Sequence, residues 1–141
     1  MNNYNYMNYN WYRDMNRKNT DYNNQKLFNP KEGFIKGNMF SNLYNQYKNY
    51  QPVLLNPKNE QQKLLFDLQG ICFAAHELNL YLDTHPEDQS MLMLFNDYCE
   101  KERKLVTEYE GKYGPLMVSN KTSGNTFAWV DKIWPWEVDN V

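Results

Sequence analysis

The side chains best suited to metal chemistry are those of His76, Glu77, Asp83 and His85, which fall within one short stretch. Histidines and carboxylates bind a metal from a helix when their spacing brings them to one face, as in His-Glu-x-x-His or Glu-x-x-His. Neither pattern occurs here, and His76 and Glu77 are adjacent, so they point about 100° apart on a helix. His85 precedes Pro86 at a predicted turn, where a histidine serves as a cap or hydrogen-bond partner. We therefore predict no metal site and no cofactor.

The chain has two cysteines, Cys72 and Cys99, and both fall inside predicted helices at comparable distances from the turn that joins them. A buried cysteine usually behaves as a small apolar side chain. A reactive thiolate needs a nearby cation to lower its pKa, and we predict no cation beside either residue. The sequence also lacks a glycine-rich phosphate loop, a nucleophile elbow and a pair of catalytic carboxylates. We predict that the protein is not an enzyme.

The composition of the chain limits its partners and its location. Its 141 residues carry a net charge of −2. Acidic and basic residues are interspersed, and no run of lysine or arginine indicates binding to nucleic acid or to a membrane. No apolar run approaches the ~18 residues of a membrane-spanning helix. The first residues, Met-Asn-Asn-Tyr-Asn-Tyr, lack the basic and apolar regions of a signal peptide. We expect one domain with extensions, synthesised in a cytoplasm and not exported by a signal peptide.

Two amphipathic helices on either side of residues 78–86 must position these side chains. The first is predicted over residues 57–83, with Asn56 as its N-cap and Pro57 as its first residue. The second is predicted over residues 86–112 and ends at Gly114. The turn between them, which consists of Asp83, Thr84, His85 and Pro86, is short enough to force the helices antiparallel. Their inward stripes are formed by Leu64, Leu68, Ile71, Ala75, Leu78 and Leu82, and by Met91, Phe95, Tyr98, Leu105 and Tyr109.

The first long helix has more apolar residues than one buried face requires. Phe66, Phe73, Leu80 and Tyr81 lie away from its inward stripe, which predicts that a second face of the helix is also covered. Gly70, in the middle of the helix, costs up to about 1 kcal/mol relative to alanine. The expected reason for a glycine there is the close approach of another backbone.

Residues 27–57 contain a short apolar pattern of their own. Phe40, Leu43, Tyr44 and Tyr47 recur at the spacing of one helical face, which predicts a two-turn amphipathic helix. A helix that short is not stable alone. It must therefore dock, either on the hairpin of the same chain or on a partner.

The two ends of the chain differ in composition from the rest. Residues 1–26 alternate asparagine and tyrosine without a helical period, so we predict a disordered leader that is either assembly-prone or merely a solvated tail. Residues 117–141 form a predicted irregular aromatic arm that holds Trp129, Trp134 and Trp136, three of the four tryptophans. Tryptophan is enriched at interface hot spots. These rings either complete the hairpin core or bind a partner.

Together these features predict an all-α fold: an antiparallel helical hairpin at residues 58–116, preceded by a segment with a short docking helix at 27–57. The string Asn-Leu-Tyr-Leu-Asp-Thr-His-Pro at residues 79–86, followed by Tyr-Gly-Pro-Leu at 113–116 and Trp-Pro-Trp-Glu at 134–137, resembles the CotJB family of spore coat proteins. The resemblance covers about residues 60–138. Residues 28–32 and 37–44 are more loosely similar to the companion CotJA family, whose Gly-Thr-Leu-Phe-Pro pattern reads Gly-Asn-Met-Phe-Ser here.

The resemblance implies a component of the inner spore coat that is made in the mother cell and acts with CotJA-like and CotJC-like proteins, the latter similar to manganese catalases. It supplies no catalytic residue. Our first hypothesis is a structural or assembly protein that works through protein–protein contacts, as a homo-oligomer or with other chains. The alternative is a soluble accessory subunit that stabilises or delivers the catalase-like enzyme, and resistance to extraction from spores separates the two. The residues expected to bind partners are Phe40, Leu43, Tyr44 and Tyr47 in one arm, and Trp129, Trp134 and Trp136 in the other.

Overall fold

The computed structural model describes residues 20–22, 25–118 and Phe127. In chain order it contains strands β1 (Thr20–Tyr22) and β2 (Gln25–Leu27) and helices α1 (Pro30–Lys36), α2 (Glu60–Thr84) and α3 (Gln89–Tyr113). Helices α2 and α3 pack along each other as the predicted hairpin, so the fold class is confirmed. None of the helices in the described ranges is long and apolar enough to cross a membrane.

The hairpin is antiparallel because the start of α2 meets the end of α3. The Gln61 side chain donates to the Tyr109 hydroxyl at 3.2 Å, and Lys112 Nζ lies 2.9 Å from Glu60 Oε1. Hydrogen bonds from Lys112 to Glu60 and Glu108 raise the pKa of this lysine above its ordinary value. Between the two ends, the fully buried side chains of the two helices include Ile71, Leu78 and Met91, all members of the predicted inward stripes.

Helix α2 begins three residues later than predicted. Its N-cap is Asn59, whose side chain accepts a hydrogen bond from the Gln62 N–H at 2.8 Å, and the Gln62 side chain accepts one from the Lys58 N–H at 2.8 Å. This reciprocal pair satisfies two backbone donors that would otherwise lack partners at a helix start. Asn56 followed by Pro57 offers no such pair, and the prediction of a start at residue 57 was wrong for that reason.

Helix α3 also begins three residues later than predicted. Its N-cap is Asp88, whose carboxylate accepts from the Met91 N–H at 3.1 Å and from the Ser90 hydroxyl at 2.7 Å. Pro86 therefore lies in the turn instead of the first turn of the helix, and Asp83 and Thr84 belong to the last turn of α2. The end of α3 is as predicted, because it stops at Tyr113 with Gly114 as its C-cap.

The short helix lies earlier in the chain than predicted. Residues 40–47 are not helical, whereas α1 begins at Pro30, with Asn29 as its N-cap, and ends at Gly37 in the left-handed conformation with φ 72°. The Asn29 side chain accepts from the Glu32 N–H at 3.0 Å. The cap, the proline at the first position and the terminal glycine together determine the helix. The prediction over residues 40–47, which used apolar spacing and a possible cap at Asn38 or Ser41, was wrong.

Strands β1 and β2 form a small antiparallel sheet in which Thr20 pairs with Leu27 and Tyr22 with Gln25. The end of the leader, predicted to be disordered as far as residue 26, thus contains regular structure, while residues 1–19 lie outside the described residues. The sheet continues into a bridge between Leu27 and Phe40. The Phe28 N–H donates to the Met39 carbonyl at 2.9 Å. This bond joins the residues that precede α1 to those that follow it.

Candidate functional site

Residues 25–44 pack onto a second face of α2, and we call them the docking segment. Leu27 and Met39 are almost fully buried in the same core cluster as the hairpin stripes, and Phe28 and Phe40 are buried as well.

Phe66 is buried and Phe73 and Tyr81 are half-buried, so the second face of the first long helix is covered as predicted. The exception is Leu80, which is 50% exposed. Of the two alternatives for the upstream segment, the structure shows docking within the same chain. The helix that makes the contact is α1 instead of one at residues 40–47.

The closest backbone approach in this interface is at Gly70 of α2. A Cβ atom at this position would lie 3.4 Å from the Pro30 carbonyl oxygen and 3.5 Å from the Lys31 nitrogen. The start of α1 therefore packs directly against α2 at Gly70, where α2 has no side chain. The approach of another backbone, predicted from this glycine alone, is confirmed.

A buried ion pair joins the docking segment to α2. Asp67 is 5% exposed, and its Oδ1 lies 2.6 Å from Lys31 Nζ. The same ammonium group lies 5.5 Å from the centre of the Phe66 ring. A buried carboxylate is costly unless it is paired, so the half-buried Lys31 ammonium stabilises Asp67 at the contact between α1 and α2. Sequence analysis missed this pair, although a single acid beside Phe66 and Gly70 was a usable signal.

Replacing Lys31 by methionine is expected to lower the free energy of unfolding by about 2 kcal/mol, because it leaves the Asp67 carboxylate buried without its partner. The measurement is urea denaturation followed by circular dichroism. The matched control is Lys104→Met on the outer side of α3, where the pair with Glu100 is exposed on both sides and should contribute less than about 0.5 kcal/mol. Equal effects of the two substitutions would show that the Lys31 pair does not hold the segment.

Aromatic rings and one backbone hydrogen bond complete the interface. Phe34 of α1 lies 6.0 Å from both Phe66 and Phe73, measured between ring centres. The Met39 N–H donates to Glu77 Oε2 at 3.4 Å. Glu77 was considered above as a metal ligand, and here it is an acceptor for the docking segment.

The turn between the long helices is organised around Tyr81. Its ring stacks on His85 at 4.3 Å and packs against Phe40 at 5.2 Å, and its hydroxyl donates to Asp88 Oδ2 at 3.1 Å. Burial, followed by the bond to Asp88, raises the pKa of Tyr81. His85 Nδ1 lies 2.9 Å from the Thr84 hydroxyl. Across the described ranges, no three His, Cys, Asp or Glu side chains are grouped so as to hold a metal ion.

The hairpin has another face, on the side of α2 opposite to the docking segment. Around the axis of α2, with 3.6 residues per turn, Leu65 and Cys72 lie about 80–100° to one side of the apolar stripe that faces α3. Asp67 and Gly70 lie to the other side of this stripe. Glu102 of α3 lies close enough to the Cys72 thiol to raise its pKa, which places the adjoining side of α3 on the same face. We call this the open face, and its half-buried apolar side chains are those of Leu65, Cys72, Phe95, Cys99 and Val106.

The two thiols of the open face are held in their protonated form. Burial raises the pKa of Cys72 from 9.0 to about 12, and the charge and hydrogen bond of Glu102 add to the rise. Burial and Glu102 also raise the pKa of Cys99, against a smaller opposing effect of Arg103. Arg103 is a neighbouring cation, which was not predicted. It lowers the pKa of Cys99 by less than burial raises it. Both thiols are free, and neither is activated as a nucleophile at neutral pH.

Of the residues predicted to bind partners, the four that the structure describes differ in exposure. Phe40 lies in the core, and Tyr44 is half-buried with its ring edge against Phe28, at 5.9 Å between centres. Leu43 is 66% exposed and Tyr47 is 85% exposed. The three tryptophans of the C-terminal arm, Trp129, Trp134 and Trp136, lie outside the described residues. The structure adds an exposed aliphatic run that the sequence analysis passed over, at Val53, Leu54 and Leu55.

The family model of the CotJB protein matches residues 62–137. The chain belongs to the CotJB family. The matched region starts inside the first turn of α2 and includes all of α3, so the open face lies within it and the docking segment lies outside it. No curated protein and no solved structure gave a significant match. The similarity of residues 28–44 to CotJA stays a prediction.

Proposed function

We propose that this CotJB protein is a non-catalytic structural component that assembles the spore coat through protein–protein contacts. Membership of the CotJB family makes it a spore-coat-related protein. The observation that carries the more specific proposal is the open face, a surface of the family region that lies opposite to the face filled by the chain's own docking segment.

The chemistry of the open face favours a protein partner. Its half-buried apolar side chains gain free energy when an apolar surface covers their exposed parts, roughly 25 cal/mol per Å² before the costs of association, and the Glu102 carboxylate on the same face offers a polar contact. The protonated thiols behave as further apolar groups. At one edge of this face lies Leu92, in the first turn of α3, whose side chain is 42% exposed.

We propose the CotJC-like, manganese-catalase-like coat protein as the partner of the open face, with a CotJA-like protein in the same assembly. Both partners come from the family resemblance. The exposed Leu43 and Tyr47, together with Trp129, Trp134 and Trp136, are proposed as additional contacts. Phe40 is left out of this set, because it is buried within the chain.

The test is the mass in solution of the purified chain mixed with the CotJC-like protein, measured by light scattering during size exclusion. We expect a mixed complex. Leu92→Asp, at the edge of the open face, should weaken it at least tenfold because a desolvated carboxylate would enter an apolar contact. Met93→Asp is the matched control: Met93 is also exposed but points about 100° away, so its effect should stay within about twofold. Absence of a complex, or equal effects of the two variants, would contradict the proposal.

A further inference from the structure

The docking segment and the surface that it covers belong to different parts of the chain. The family match begins at residue 62, whereas the docking segment ends at residue 44. The contacts between them cross this boundary: Lys31 meets Asp67, Pro30 rests on Gly70, and the Met39 N–H reaches Glu77. The hairpin of the family region is thus covered by a segment of twenty residues from outside that region.

A long exposed linker joins the two parts. Of the residues between 45 and 59, all except Pro52 and Pro57 are exposed. Its hydrogen bonds are local, such as that from the Tyr50 N–H to the Tyr47 carbonyl at 3.1 Å. Fifteen residues reach about 50 Å when extended. The linker can therefore carry the docking segment to a neighbouring molecule.

We propose that the docking segment exchanges between copies of this chain, so that the segment of one copy packs onto α2 of a second copy. The contacts are the same within one chain and between two chains, and exchange of an identical element is a low-cost route to a dimer. A linker of about fifteen residues gives an effective concentration of the order of millimolar. Exchange therefore becomes important as the protein concentration approaches that range.

This interaction uses the face of α2 that holds Asp67 and Gly70, not the open face. It does not depend on the function proposed above, and either proposal can fail without the other. Reciprocal exchange between two copies gives a closed dimer. Exchange that is passed from copy to copy gives an open chain of molecules.

The ion pair between Lys31 and Asp67 provides a test by charge reversal. In Lys31→Asp the segment brings a second carboxylate against Asp67, and in Asp67→Lys two ammonium groups meet, so each variant alone repels its own segment. In a reciprocal dimer of the two variants, both sites regain one acid and one base. The chain with both substitutions is the control, because it restores the pair within a single molecule.

We expect the one-to-one mixture to show twice the monomer mass in light scattering. Its thermal midpoint should be higher than that of either variant alone and close to that of the double variant. A mixture that stays monomeric and melts as the sum of its two components would overturn the proposal.

A second measurement uses the unmodified sequence, in case a lysine at position 67 prevents folding. A carbodiimide joins an amine to a carboxylate in direct contact, and Lys31 Nζ and Asp67 Oδ1 are 2.6 Å apart. Chains labelled with ¹⁴N and ¹⁵N are mixed, incubated, cross-linked and digested. We expect Lys31–Asp67 cross-links that carry both isotopes, in a fraction that rises with protein concentration. Cross-links of a single isotope at every concentration up to about 1 mM would overturn the proposal.

Discussion

Replacing Met39 by alanine is expected to lower the free energy of unfolding by about 3 kcal/mol. Met39 is 0% exposed and belongs to the core cluster that contains Leu78 and Met91. Its packing is tight, because a Cβ atom added at Gly33 would overlap the Met39 sulfur. The shorter side chain would leave a cavity between the docking segment and α2, and both the lost burial and the cavity destabilise the fold.

Urea denaturation followed by the helical circular dichroism of α2 and α3 measures this effect. Leu43→Ala is the matched control, because Leu43 lies in the same segment but is 66% exposed, and we expect a change below about 0.5 kcal/mol. If Met39→Ala were as mild as Leu43→Ala, the docking segment would not be part of the core that stabilises the hairpin.

Replacing Gly70 by leucine should have a similarly large effect, about 2–3 kcal/mol of destabilisation. The Cβ atom would make ordinary contact with the Pro30 carbonyl at 3.4 Å, but the atoms beyond it would need the space that α1 occupies. The segment would have to move away from α2, which weakens its contacts with Asp67. Gly70→Ala adds only the Cβ atom and improves helix propensity, so it should be nearly neutral or stabilising.

Gly111 provides the control for this series. It lies in α3, it is exposed, and nothing in the described residues comes within 4 Å of a Cβ atom placed there. Gly111→Leu should therefore stabilise the protein by about 0.5–1 kcal/mol through helix propensity alone. Thermal denaturation of the three variants and the unmodified chain measures the series. A stabilising effect of leucine at position 70, like that at position 111, would contradict the close approach of α1.

The sequence predicted the hairpin well because its signals are local and repeated. The apolar stripes of α2 and α3 recur over many turns, and Gly114 with Pro115 marks a helix end that the structure contains. The helix starts were each three residues too early for one shared reason. Proline at positions 57 and 86 suits a first helical residue, but Asn59 and Asp88 supply the side-chain acceptors that satisfy the free backbone N–H groups.

The docking segment was harder to predict, because two local signals competed. The spacing of Phe40, Leu43 and Tyr47 indicated a helix, yet Leu43 and Tyr47 are exposed and give no face to bury. The stronger signal was the capped turn that begins at Asn29. The pairing of Lys31 with Asp67 joins positions 36 residues apart, and no local pattern sets that register.

The candidate site was predicted only in outline. The surplus of apolar residues and Gly70 correctly indicated that another element covers α2, but not which residues would stay exposed. Of the residues expected to adhere to partners, Phe40 lies in the core and Tyr44 is half-buried. The open face was not anticipated as a unit, because it appears only when the two helices lie side by side.

Hydrogen exchange of the backbone amides in the purified chain measures directly whether the docking segment is a folded part of the hairpin. The amides of Phe28 and Ser41, which donate to the Met39 and Lys26 carbonyls, should then open with free energies close to that of Leu78 in α2. Val53 in the exposed linker should exchange rapidly. Exchange at Phe28 and Ser41 as fast as at Val53, with α2 still protected, would contradict the account.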